Sequence, residues 1–236
     1  MRGYKLTKVT KKFHINGKPV KILDNLNLLL EDNKITVILG RSGCGKTTLL
    51  RLLGYLDTVT SGTVEFFNNY NSVKPKIGMV FQESRLFPWL NVRENITFFL
   101  DKKNTNIENK YLHLMKLEKF GEAYPSQLSG GMAHRVAIGR ALAYEPNILL
   151  MDEPFAALDF FTRAYMQKEI LRLYKETNKG IVFVTHNVDE ALLIGHKIVI
   201  LDKGKILKEY NINLEFPRNI SSEKLLNIKE DILSKL

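Results

Sequence analysis

A chain of 236 residues with 44% hydrophobic and 25% charged residues is long enough to enclose one sizeable core, or one core with a smaller lobe. It has no apolar run near the roughly 18 residues of a membrane-spanning helix, and its single cysteine excludes an internal disulfide and suits a reducing cytoplasm. The net charge of +10 comes from scattered lysines rather than from an arginine-rich stripe. This pattern favours a solvated surface, or a face beside anionic lipid, and nucleic acid is not expected as a partner.

The N-terminal part of the chain has the pattern of antiparallel strands. Residues 4–10 and 20–30 alternate and are rich in Leu, Ile and Val, and the sequence Asn-Gly-Lys-Pro at 16–19 is typical of a turn. Residues 35–39 then predict a short buried strand, and residues 47–55 have the composition of a helix.

A phosphate-binding loop connects this strand to this helix. It fits the pattern G-x-x-x-x-G-K-[ST] without a mismatch and comprises Gly40, Arg41, Ser42, Gly43, Cys44, Gly45, Lys46, Thr47 and Thr48. Its glycines let successive N–H groups point at phosphate oxygens, and the helix adds the positive end of its dipole. Lys46 would reach the β- and γ-phosphates, and the Thr47 hydroxyl would ligate Mg²⁺. A glycine-rich turn that matches by chance is disfavoured because strand and helix are both in place, so we predict a nucleoside triphosphate site.

Strands and helices alternate along the rest of the chain. We predict strands at 63–67, 77–81, 148–151, 181–185 and 197–201, a loop at 68–72, and helices at 92–100, 107–120, 130–144, 160–177 and 188–194. This order predicts an α/β fold of the P-loop NTPase type, with a mixed, mainly parallel sheet, flanking helices and an N-terminal antiparallel part. The helical stretch in the middle predicts an inserted subdomain at 87–137 within a nucleotide-binding core formed by 1–86 and 138–236.

Two acidic residues follow a second buried strand. The apolar run at 148–151 ends in Asp152 and Glu153. An Asp in this position beside a phosphate loop holds Mg²⁺ and its water, and Glu153 is placed to act as general base on an attacking water. Acidic residues at strand ends are common on solvated surfaces, so this interpretation depends on the phosphate loop.

A second glycine-rich helix start lies at Ser129, Gly130 and Gly131. Ser129 is a suitable N-cap, which is the simplest structural explanation. The same helix start also offers bare N–H groups at a positive dipole end, which makes it a second phosphate-binding surface. One site needs two such surfaces only if they contact the same phosphate from opposite sides.

With these motifs in this order, the sequence resembles the ATPase subunit of an ATP-binding-cassette (ABC) transporter over nearly its whole length. The resemblance is carried by the phosphate loop, Leu-Ser-Gly-Gly at 128–131, Leu-Met-Asp-Glu-Pro at 150–154 and Phe-Val-Thr-His at 183–186. It implies ATP and Mg²⁺ as ligands, hydrolysis of ATP to ADP and phosphate, and a head-to-tail dimer, here expected to be a homodimer. It also implies membrane permease subunits as partners, a substrate-binding protein as an indirect partner, and a peripheral location on the cytoplasmic side of the inner membrane.

The resemblance assigns roles to further positions. Gln82 corresponds to a glutamine that touches Mg²⁺ and senses the permease, and His186 to a switch histidine at the γ-phosphate. The loop Ala157-Leu158-Asp159 would cross to the partner subunit, where the helix start at 129–131 would contact ATP.

Phe13 is our assignment for the aromatic ring that stacks on adenine, although a packing role would also explain it. Phe-Pro-Trp-Leu at 87–90, Met132 and Phe-Pro-Arg at 216–218 resemble the importers of nitrate, sulfonate, taurine and bicarbonate, which implies a small oxyanion as cargo. The alternatives are an exporter or lipoprotein-release ATPase, a soluble ABC ATPase that acts on nucleic acid, and a non-hydrolysing binding module. The last is disfavoured because Glu153 and His186 are both present.

Overall fold

The structure, a computed structural model, describes residues 2–68, 71–100, 105–156 and 158–236. The strands are β1 (Arg2–Ile15), β2 (Lys18–Glu31), β3 (Ile35–Leu39), β4 (Ser61–Asn68), β5 (Asn71–Ser72), β6 (Ile77–Val80), β7 (Ile148–Asp152), β8 (Gly180–Thr185), β9 (Lys197–Asp202) and β10 (Lys205–Asn211). The helices are α1 (Lys46–Leu53), α2 (Val92–Thr97), α3 (Thr105–Leu114), α4 (Gly130–Ala143), α5 (Phe160–Thr177), α6 (Val188–Ile194) and α7 (Glu223–Leu233), with short 3₁₀ helices at Glu118–Phe120 and Pro125–Gln127. In these ranges, no helix combines the length and apolar character needed to cross a membrane.

The described strands form two sheets. One is antiparallel, in the order β2-β1-β4-β5, and the other has six strands in the order β10-β9-β3-β8-β7-β6. In the larger sheet the strands from β9 to β6 run parallel, and β10 pairs antiparallel with β9. The predicted mixed, mainly parallel sheet with an N-terminal antiparallel part is therefore confirmed.

The central strands are apolar throughout because the six-stranded sheet is covered on both faces. Successive side chains point to opposite faces. Val37 and Phe183 belong to the core cluster that contains the buried residues of α4, α5, α6 and α7. Their neighbours Ile38 and Val184 belong to the cluster shared with α1 and the antiparallel sheet.

The helices α2, α3 and α4 pack against one another. Asn91 and Glu94 form a capping box that begins α2, and each of the three helices contributes buried apolar side chains to the core cluster on one face of the large sheet. The division into a core and a subdomain stays a prediction, and its boundary between residues 137 and 138 lies inside the continuous helix α4.

Several predicted boundaries were wrong. The predicted helix at 107–120 ends at Leu114, because Lys116 adopts a left-handed conformation with φ of 53° that a helix cannot continue. The predicted loop at 68–72 contains β5, which pairs with β4; residues 69 and 70 lie outside the described residues. The C-terminal elements β10 and α7 were not predicted.

Arg218 connects the C-terminal segment that contains β10 and α7 to the core through hydrogen bonds. It is 9% exposed and lies between β10 and α7. Its guanidinium donates to the carbonyls of Leu192 and Gly195 at the end of α6, at 2.7 and 2.6 Å, and to those of Ile212 and Leu214, at 3.0 and 3.2 Å. The last carbonyls of a helix lack intrahelical partners, so Arg218 caps α6. Burial lowers its pKa to about 10, which leaves it protonated at neutral pH.

We expect Arg218→Met to lower the free energy of unfolding by about 3 kcal/mol, because it leaves buried carbonyls without a donor. The midpoint of urea-induced unfolding measures this loss. Arg172→Met is the control, since the Arg172 side chain is 63% exposed and surface substitutions change stability little. Equal midpoints for the two variants would show that the cap contributes nothing.

Candidate nucleotide site

The carboxyl ends of four neighbouring strands meet at one edge of the large sheet. In the order β3-β8-β7-β6, these strands lead into the phosphate loop, into His186, into the acidic pair and into Gln82. All four run parallel, so residues that are distant in sequence converge at the edge where α/β proteins bind ligands. The cleft at this edge measures about 490 Å³ and is lined by Phe13, Ile22, Ser42, Gly43, Gly45, Lys46, Thr47, Thr48, Gln82, Glu153 and His186.

The phosphate loop needs its glycines. Gly43 and Gly45 have φ values of 78° and 108°, which other residues rarely adopt. A Cβ on Gly45 would also lie 2.8 Å from Cδ2 of Leu23. The helix α1 begins at Lys46, within the last residues of this loop, so the N–H groups of its first turn have no intrahelical acceptor. Such N–H groups are suitable donors to a phosphate.

Lys46 is held at the base of the loop. Its side-chain ammonium donates to the carbonyls of Gly40 and Arg41 at 2.8 and 3.0 Å. An ammonium group has three N–H donors, so these bonds still allow a third to a phosphate oxygen. Gly40, Arg41 and Cys44 do not themselves line the cleft: the first two contribute carbonyls, and Cys44 is buried. Burial raises the pKa of the Cys44 thiol, which keeps it protonated.

Thr47 and Asp152 form the oxygen pair predicted to hold Mg²⁺. The Thr47 hydroxyl donates to Oδ1 of Asp152 at 3.2 Å. Burial raises the pKa of the Asp152 carboxyl, while the hydrogen bond from Thr47 lowers it. A nearby cation favours the ionised form of a buried carboxylate, so the environment of Asp152 suits a bound divalent metal.

Glu153 and His186 contact each other across the ends of β7 and β8. Nδ1 of His186 lies 3.2 Å from Oε1 of Glu153. The Glu153 side chain is 16% exposed and that of His186 is 60% exposed. Glu153 has a φ of 47°, an unfavourable conformation for a residue other than glycine, and its N–H donates to the carbonyl of Val184 at 3.0 Å. Such strain is typical of functional sites.

The aromatic residue Phe13, which is 37% exposed, also lines the cleft. The ammonium of Lys11 lies 4.7 Å from the centre of this ring. Ile22 lines the cleft beside Gly45 and was missed by sequence reasoning, because nothing distinguishes it from the other apolar residues of its strand.

The second glycine-rich segment lies outside this cleft. Ser129 and Gly130 are exposed, and the Ser129 hydroxyl accepts from the N–H of Met132 at 3.3 Å, which makes it the N-cap of α4. Gly131 and Asp159 do not line the cleft either, and Asp159 caps α5. Ala157 lies outside the described residues.

Glu190 and Arg163, whose side chains lie close to each other, were also missed by sequence reasoning. Glu190 is 5% exposed and accepts a 2.7 Å hydrogen bond from the hydroxyl of Thr185, which precedes His186.

Comparison with known proteins agrees with this geometry. Residues 23–156 match the family model described as ABC transporter. The chain is 40% identical to the aliphatic sulfonates import ATP-binding protein of Bacillus cereus, over 96% of this chain and 93% of that protein. It is also 40% identical to the taurine import ATP-binding protein of Roseobacter denitrificans, over 90% and 83%.

This chain is also similar to a solved structure that is a dimer. The dimeric, post-hydrolysis structure of the ATP-binding cassette MJ0796 with ADP and Pi is 32% identical, with a TM-score of 0.80 over 90% of this chain and all of that chain. The chain therefore belongs to the ABC transporter family, as an ATP-binding and ATP-hydrolysing subunit.

Proposed function

We propose that two copies of this chain bind two ATP·Mg²⁺ between them and that hydrolysis drives a membrane permease which imports a small oxyanion. The observation that carries this proposal is the convergence of the phosphate loop, Gln82, Glu153 and His186 in one cleft. These groups suit phosphoryl transfer from ATP to water, in which positioning and charge stabilisation do most of the catalysis.

Each lining group has a proposed role in that reaction. Lys46 and the loop amides bind the β- and γ-phosphates, and Phe13 stacks on adenine. Glu153 accepts a proton from the attacking water, and His186, which lies against Glu153, contacts the γ-phosphate.

The residues present fit Mg²⁺. Thr47, Asp152 and Gln82 offer hard oxygen donors at the phosphate loop, and the described residues contain no group of three or more His, Cys, Asp or Glu that could form an all-protein metal cage. The remaining positions would fall to phosphate oxygens and water, as is usual for this ion. When bound, Mg²⁺ neutralises charge on the β- and γ-phosphates.

The second glycine-rich segment supports the dimer. Ser129, Gly130 and Gly131 lie at the N-terminus of a 14-residue helix and do not line their own chain's cleft. We propose that they bind the γ-phosphate of the ATP held by the partner, while Asp159 contacts the partner's phosphate loop. ATP then acts as the bridge between subunits, and its hydrolysis releases them.

An aromatic surface formed by residues that precede and follow α2 is the proposed permease contact. We define it as Phe87, Trp89, Phe98 and Phe99, whose rings follow one another with centroid distances of 4.2 to 5.6 Å. Trp89 is 69% exposed, Phe98 47% and Phe99 53%. The fully buried amide of Asn95 fixes this surface by bonding the N–H and C=O of Phe87. Exposed aromatic clusters of this kind are typical of protein interfaces.

The proposed cargo is a sulfonate such as taurine, because relatives that match most of the chain carry those names. Docking to a permease would place the chain at the cytoplasmic face of the inner membrane, with a substrate-binding protein on the other side.

Trp89→Ala tests the permease contact. We expect at least tenfold less membrane protein to copurify with the tagged chain from its native membranes, while ATPase activity of the isolated chain changes less than twofold. Leu207→Ala is the control, because Leu207 is 49% exposed on β10, at the opposite edge of the sheet from β6. Equal copurification of the two variants would exclude this surface as the contact.

The proposed cargo is tested in proteoliposomes that contain the copurified permease and its binding protein. Taurine or an alkanesulfonate should stimulate ATP hydrolysis, and no stimulation by either would exclude this cargo.

A further inference from the structure

A partly buried charged pair joins two helices, α5 and α6. Oε1 of Glu190 in α6 lies 3.8 Å from Nε of Arg163 in α5. The Glu190 side chain is 7% exposed and that of Arg163 is 32% exposed. A carboxylate this buried needs a charged or hydrogen-bonded partner, so the contact constrains both helices.

Glu190 is hydrogen-bonded to the segment that carries His186. The hydroxyl of Thr185, the last residue of β8, donates to Oε2 of Glu190 at 2.7 Å. The same hydroxyl accepts from the N–H of Asn187 at 3.0 Å. His186 is therefore flanked on both sides by residues whose positions depend on Glu190.

Arg163 is hydrogen-bonded to the loop that ends in Asp159. Nη2 of Arg163 donates to the carbonyl of Leu158 at 3.0 Å. Arg163 lies in the first turn of α5, where the helix dipole disfavours a cation. The dipole alone would not place an arginine here, whereas Leu158 and Glu190 together explain its position.

The side chains of Arg163 and Glu190 are close but do not form a hydrogen bond with each other. Nε of Arg163 is buried and has no hydrogen-bond acceptor among the described residues. At 3.8 Å the pair is an ion pair without a hydrogen bond. A movement of about 1 Å that brings α5 toward α6 would form that bond, since hydrogen bonds between such groups are about 2.7–2.9 Å long.

We propose that Arg163 and Glu190 are positioning residues that form a latch between the His186 segment and the Asp159 loop, and that the latch tightens when the ATP-bound dimer closes. This inference rests on the proposed function for the roles of His186 and Asp159. A contact shifts an equilibrium only if it differs between the two states. The latch therefore stabilises the closed dimer more than the free subunit.

The first test compares dimers in a Glu153→Gln background with ATP and Mg²⁺. We expect Arg163→Met to raise the dissociation constant of the dimer at least tenfold by analytical ultracentrifugation, while the affinity of the monomer for ATP changes less than twofold. Arg172→Met is the matched control, an arginine on the same helix with surface partners, and should dimerise like the parent. Arg163→Lys keeps the charge with fewer donors and should restore part of the dimer. Equal dissociation constants for Arg163→Met and Arg172→Met would overturn the latch.

The second test needs no dimer. Glu190→Gln removes the charge but keeps the shape, and backbone hydrogen exchange of the monomer should become at least fivefold faster both at 185–187 and at 158–163. Faster exchange in only one of these segments, or in neither, would overturn the coupling. If the parent fails to dimerise with ATP, the proposed function is wrong, whereas the exchange result still decides the link between the two segments.

Discussion

Replacing Glu153 with Gln is expected to reduce the rate of ATP hydrolysis by about 10²–10⁴-fold, the range that general base catalysis contributes. The amide cannot accept the proton of the attacking water. It keeps the shape of the side chain at the end of β7, so the cleft and its affinity for ATP should remain.

The same variant should accumulate a dimer with ATP, because the nucleotide that bridges the subunits is no longer consumed. Phosphate release measures the first effect, and size-exclusion chromatography with and without ATP measures the second. Glu83→Gln is the control, since the Glu83 side chain is 85% exposed next to Gln82. Unchanged turnover in Glu153→Gln would remove Glu153 from its role, and a strictly monomeric protein at high concentration with ATP would contradict the shared site.

Replacing Lys46 with Ala is expected to weaken ATP binding by about 100-fold, because a hydrogen bond between charged groups contributes about 1.5–3 kcal/mol. Lys46 is 6% exposed, and its ammonium already donates to the carbonyls of Gly40 and Arg41 within the loop. The substitution removes the positive charge that we propose to bind the β- and γ-phosphates.

Equilibrium binding of a fluorescent ATP analogue measures this loss. Lys205→Ala is the control, because the Lys205 side chain is 64% exposed on β10. A thermal melt of both variants separates lost binding from lost folding. Retained affinity in a folded Lys46→Ala protein would contradict the assignment of the phosphate loop.

The sequence alone determined the parts of this protein that depend on neighbours in the chain. The phosphate loop combines a strand, a glycine-rich turn and a helix within residues 35–55, and each part has a local signature. The buried strands were predicted because a sheet covered on both faces needs apolar residues at every position. The pair Asp152–Glu153 followed from the end of one such strand.

The tertiary structure decided what depends on contacts between distant segments. The order β3-β8-β7-β6 places His186 next to Glu153, and no local pattern specifies which strands become neighbours. Arg218 belongs to a motif seen in the sequence, but nothing local shows that it caps α6, and nothing local shows that Arg163 faces the buried Glu190. The strand β10 was missed because an edge strand has one exposed side and a weak apolar pattern. A side chain forms a hydrogen bond or an ion pair only with a group that folding places beside it. The local motifs could therefore be predicted from the sequence, whereas these pairings could not.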